Sequence, residues 1–165
     1  MKKDPYNHKG IYENWRKKVN TNGIPEISKY NSDLILKYLN DMGCGYNVSR
    51  VSSKGSRSYI RLNTLRQKLV FFSKKFEELY GIDKITDISE IQLCKFFTDM
   101  RKGVVTREDG KVYQSAGYYV KNFKAFWHWW MKVNKKEGIE IKDITEDLDS
   151  SQDKPRWVYL TEKQN

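Results

Sequence analysis

The chain has 165 residues, 38% of them hydrophobic and 14% aromatic, which suffices for one domain with tails, excludes two comfortable cores, and excludes a disordered polymer. No apolar run reaches the roughly 18 residues of a membrane span, and no secretory h-region follows the basic start, so a cytoplasmic protein is expected. Lys and Arg number 31 against 21 acids, a formal charge of +10 whose distribution along the chain says more than its size.

Residues 1–25 carry six Lys or Arg by Lys18 and show no sustained periodicity, so they read as a flexible basic arm or a loose terminus. The main domain is expected over 26–138. Leu34, Ile35, Tyr38, Leu39 and Met42 recur at helical spacing, with Asn31 or Ser32 to cap and Gly43 to stop a first helix. The stretch GCGYNVSRVSSKGSRS that follows is rich in Gly and Ser, with Arg50, Lys54 and Arg57 among them, and reads as a flexible basic connection. A long second helix is expected over 57–80, where Leu62, Leu65, Leu69, Phe72, Phe76 and Leu79 make one stripe and Gly81 ends it. Arg57, Arg61, Thr64, Lys68 and Lys75 line one flank. From Arg50 to Phe76 there are eight Lys or Arg and no acid, while Glu77 and Glu78 stand in the last turn. That order opposes the helix dipole by a few tenths of a kcal/mol per charge, which suggests that the cations serve a ligand.

Asp87 with Glu90 three residues later resembles a capping box, opening a third helix that carries Ile88, Ile91, Leu93, Phe96, Phe97 and Met100 and ends near Gly103. Asp109-Gly110 between β-branched runs marks a short β-hairpin or extended turn near 104–113, presenting Arg107 and Lys111. The stretch 115–136 reads as an amphipathic helix with Ser115 as N-cap. Ala116, Tyr119, Val120, Phe123, Phe126, Trp127 and Trp130 form its packing stripe, with Trp129 toward the edge. Lys121, Lys124, His128, Lys132 and Lys135 form a row on the far side, and no acid lies between Lys111 and Lys136. Residues 139–165 read as a linker, with seven acids between Glu137 and Asp153. The fold class is all-α, a bundle of about four to five helices.

Catalysis has no visible home, because the two histidines, His8 and His128, belong to no GxSxG, HExxH or phosphate-loop pattern. Cys44 and Cys94 lack metal-ligand or disulfide spacing and read as small apolar residues. No cofactor, metal or small-molecule substrate is expected. The acid-free cationic edges instead point to nucleic acid, with Arg57, Arg61, Thr64, Lys68, Lys111, Ser115, Lys121, Asn122 and Lys124 as the candidate contacts. The competing reading is a helical protein-interaction module that docks through an aromatic edge around Trp129 and Tyr118.

Four segments in order, TLRQKLVFFSKKF, ITDISEIQLCKFFTDM, YQSAGYYVKNFKAFWHWWMKVNKKEG and KPRWVYLTEKQ, resemble the N-terminal core-binding domain of the tyrosine recombinases, or phage integrases, and are most similar to its archaeal members. The resemblance spans about residues 31–161. It implies an orthogonal, SAM-like bundle forming half of a C-shaped clamp on duplex DNA, with the second and fourth helices against the groove. It also implies protomer–protomer contacts across two half-sites. The family's catalytic residues would lie beyond residue 165, so this chain alone is not expected to be an enzyme. Two departures stand out: Arg61 or Thr64 occupies a place where many members have Thr, and the loop 103–113 is longer than usual.

Overall fold

The computed structural model describes residues 4–46 and 56–151. Arg50 and Lys54, and the segment KPRWVYLTEKQ, lie outside them. Five α-helices make up the described chain, with no strand among those residues: α1 (His8–Asn22), α2 (Lys29–Gly43), α3 (Tyr59–Tyr80), α4 (Glu90–Lys102) and α5 (Ala116–Lys136). A short 3-10 turn, Ile85–Asp87, precedes α4. The all-α bundle expected from the periodicity is therefore the observed architecture.

α1 replaces most of the expected arm. Tyr12, Trp15 and Val19 sit one turn apart on one face, and Tyr12 and Val19 are buried. The Trp15 ring lies under the Arg66 guanidinium, 4.7 Å from its centroid. Asn7 caps the start, its side-chain oxygen accepting from Gly10 N at 3.3 Å. Asn63 of α3 donates to the His8 carbonyl at 3.1 Å, and Arg16 donates to Asn40 Oδ1 of α2 at 2.7 Å. Three apolar positions among many charges gave too thin a stripe to mark this helix from sequence, yet they suffice once α2 and α3 supply the opposite wall.

The true caps lie close to the expected ones. Ser28 caps α2, accepting from Asn31 N, because Asn31 and Ser32 are turned inward. Asn31 Oδ1 accepts from Ile85 N at 2.7 Å and Ser32 Oγ from Ile24 N at 2.9 Å, tying two loops to the helix. Ser58 caps α3, and Gly81 ends it in the left-handed conformation at φ 65. The capping box of α4 is formed by Ser89 and Gln92, not by Asp87 and Glu90. Ile91 and Leu79, both assigned to packing stripes, are exposed: Leu79 falls just past the edge of its buried arc, and Ile91 lies on the opposite side of α4 from Leu93, Phe96 and Met100.

The core is an aromatic lattice. Phe72 of α3 meets Phe123 of α5 edge-on at 5.3 Å, and Phe76 meets Phe96 of α4 at 5.2 Å with planes at 90°. Such edge-to-face pairs each add about 0.5–1.5 kcal/mol beyond their buried area. Tyr38 of α2 stacks on Phe126 and Trp129 at 5.4 and 5.0 Å. Trp129 is thus fully buried, its Nε1 donating to Asp41 Oδ2 at 2.8 Å, while Trp130 is the half-exposed ring. The expected edge position of Trp129 is corrected accordingly, while Tyr118, the other residue of the expected docking edge, is exposed.

Residues 139–151, assigned to a linker, fold back along α5 as a strap. Ile144 and Thr145 are buried, and Trp127 Nε1 donates to the Lys142 carbonyl at 2.9 Å. Lys142 pairs with Glu90 at the start of α4, and Arg101 near its end donates to the Asp149 carbonyl. The strap finishes against Gly117, whose missing side chain leaves room for the Ser151 carbonyl. Apolar anchors spaced among acids hid this segment. Cys44 and Cys94, read as small apolar residues, are both exposed free thiols.

Candidate nucleic-acid interface

The α3 flank is set by helical geometry. With Leu62, Leu65, Leu69, Phe72 and Phe76 held in the core, residues at 61, 64, 68 and 75 must share one side of the rod. Arg57 lies just before the helix, its backbone N–H donating to the Met42 carbonyl at 3.0 Å. Arg61 Nη1 reaches the Tyr118 hydroxyl of α5 at 3.4 Å. Thr64 donates its hydroxyl back to the Ile60 carbonyl at 3.1 Å, which occupies its one proton. Lys68 Nζ sits 3.8 Å from the Tyr119 ring centroid and 5.7 Å from that of Tyr118. Farther along, acids take over: Lys75 pairs with Glu78 at 3.3 Å and Lys74 pairs with Glu26. Lys75 therefore leaves the cationic row.

On α5, Lys121 is exposed and Lys124 half-exposed, and neither has an ion-pair partner among the described residues. Lys121 stands one turn beyond Tyr118, so the two helices' cations form one surface hinged on that tyrosine. The row does meet an acid farther on. His128 Nε2 lies 3.0 Å from Asp143 Oδ2 of the strap, and Thr145 Oγ1 donates to Asp143 Oδ1 at 2.6 Å. His128 is thus a strap contact, not a member of an acid-free row.

Two expected contacts are corrected. Asn122 is buried, 1% exposed, its Nδ2 donating to the Tyr118 carbonyl at 2.8 Å, so it cannot reach DNA from the surface. It shares the face of buried Phe126 and Trp129, four and seven residues on, about 100° around the helix from exposed Lys121. Ser115 makes no capping hydrogen bond, because its φ of −123 and ψ of 42 turn the side chain away from the first-turn amides. It remains exposed at the mouth of α5.

The hairpin region is an isolated antiparallel bridge between Thr106 and Val112, with Arg107 N donating to the Lys111 carbonyl at 2.9 Å. Gly110 turns it at φ 80. This tip holds exposed Lys111 and Arg107 beside the start of α5; Arg107 contacts Asp109 at 3.2 Å. The organising residues that the sequence reading passed over are Tyr118 and Tyr119, which carry no charge and were assigned respectively to a docking edge and to packing.

No family model, no curated protein and no solved structure matches this chain.

Chemically the surface can bind and screen an anion. Among the described residues no group of three or more His, Cys, Asp or Glu could hold a metal ion, and no helix is long and apolar enough to cross a membrane. Tyr113, beside Tyr119, has its pKa raised by partial burial, which outweighs the Arg107 charge.

Proposed function

We propose that this chain holds duplex DNA as the core-binding domain of a site-specific tyrosine recombinase, acting in the cytoplasm beside a catalytic domain and neighbouring protomers. The single observation that carries the reading is the junction at Tyr118, where the Arg61 and Lys68 flank of α3 meets the start of the α5 row that continues to Lys121 and Lys124. A continuous cationic strip of this kind suits phosphates spaced along a backbone, whose condensed counterions are released on binding. Arg57 precedes the strip at the start of α3, and Lys111 flanks it across the cleft from Lys68. Sequence preference should be modest, because most of these groups are long cations suited to phosphate and few are suited to base edges. The chain by itself should not cleave DNA, since among the described residues no nucleophile and base are paired on this surface.

Reversing charge with Lys121→Glu and Lys124→Glu should weaken binding on unrelated duplexes alike and flatten the salt dependence by about one unit per lost phosphate contact. Unchanged affinity at low salt would remove both residues from the interface. The recombinase part of the reading is tested separately by the encoding frame downstream of Asn165, which should supply an Arg, a His-x-x-Arg pair and a nucleophilic Tyr.

A further inference from the structure

Between the hairpin tip and the start of α5 lies an open cleft of about 480 Å³, walled by Lys68, Arg107, Lys111, Ser115, Tyr118 and Tyr119 among others. No carboxylate lines it. The neighbouring cleft, of about 590 Å³, shares Arg107 and Tyr119 but carries Glu78, Glu108 and Asp109. In the second those acids offset Lys74, Lys75 and Arg107, whereas the first cleft favours an anion. Its size exceeds what a lone phosphate needs and falls in the range of small-molecule sites. The Tyr119 ring is covered by Lys68 at 3.8 Å, whereas Tyr118 is 44% exposed and offers a ring to a planar ligand. Ser115, with no capping bond, has a hydroxyl available to donate.

We infer that this cleft seats one unpaired nucleotide of a DNA strand, its base against Tyr118 and its phosphate between Lys68 and Lys111. A concave slot of cations alternating with rings matches the way single strands are held, by backbone charge and base stacking together. A fully paired duplex presents no free base face to such a slot, and extruding one costs free energy that a bulged or frayed nucleotide has already lost. The inference rests on the duplex-binding reading, because the slot opens onto the same strip at Lys68 and Tyr118.

The test titrates the full chain at low salt onto two labelled duplexes of one sequence, perfect or with a single 2-aminopurine bulge. The bulged duplex should bind about tenfold tighter, with its fluorescence quenched by stacking. Tyr118→Ala should abolish the difference between the two DNAs, and Lys111→Glu, on the exposed tip, should reduce it if the first variant folds poorly. Equal affinity for both DNAs without quenching, or a preference that survives both variants, would overturn the slot while leaving duplex binding intact. Binding to neither DNA would overturn the duplex reading itself.

Discussion

Asn122 and Trp129 share a helix, and their polar atoms have opposite fates. Trp129 Nε1 finds Asp41, whereas Asn122 Oδ1 is buried with no partner. Removing the tryptophan donor should therefore cost more than removing the whole asparagine amide. Trp129→Phe is expected to lose about 2–3 kcal/mol in urea unfolding, from lost packing and an Asp41 left without its donor. Asn122→Leu should leave stability unchanged or raise it by up to about 1 kcal/mol, with duplex affinity unaltered. A marked loss of affinity in a well-folded Asn122→Leu would return that residue to the interface. Local periodicity does not separate these positions. Trp129 and Trp130 are one residue and about 100° apart on a helix. Which of the two packs is decided by Asp41 and Tyr38 of α2, some ninety residues earlier and invisible to any local window. The Lys and Arg positions were legible for the opposite reason: a cation without a partner is pushed out to solvent wherever its helix face allows.

At the scale of elements, the strap and α1 are the pieces that periodicity did not deliver. Each carries only two or three apolar anchors, and each is stable because a finished helix receives it. Gly117→Ala would ordinarily favour α5 by about 1 kcal/mol, but here the new methyl lands on the Ser151 carbonyl. Limited proteolysis should accordingly show faster cutting near 149–151 in that variant, with α5 itself intact. The strap should also respond to acid. Burial pushes the Asp143 carboxyl up, but hydrogen bonds from Thr145 and His128 outweigh it and hold the pKa below the usual Asp range. A lowered folded value means that the stabilisation is complete above the unfolded pKa of about 3.9 and is lost as pH falls through the folded one. Amide exchange in 139–151 should rise below about pH 4 before the core opens, and Asp143→Asn should show the looser strap already at neutral pH. Exchange that stays slow in both would show that the apolar anchors, chiefly Ile144 and Trp127, hold the strap alone.

For the whole molecule, charge is sorted by surface. The strap carries Asp143 to His128 of α5 and Asp149 to Arg101 of α4, and its Lys142 meets Glu90 of α4. The strip from Arg57 through Arg61, Lys68, Lys111, Lys121 and Lys124 has no carboxylate within ion-pair reach of those side chains among the described residues. Acid-free runs in the sequence foreshadowed that separation, because residues 50–76 and 111–136 contribute the two helices that face one another at Tyr118. The most direct measurement is the dissociation constant of the chain for a labelled duplex of about 25 base pairs across a series of salt concentrations. Those side chains predict that log affinity falls linearly with log salt, with a slope of about −4 to −6 that is the same for unrelated sequences. No binding at low salt, or an affinity indifferent to salt, would contradict the account.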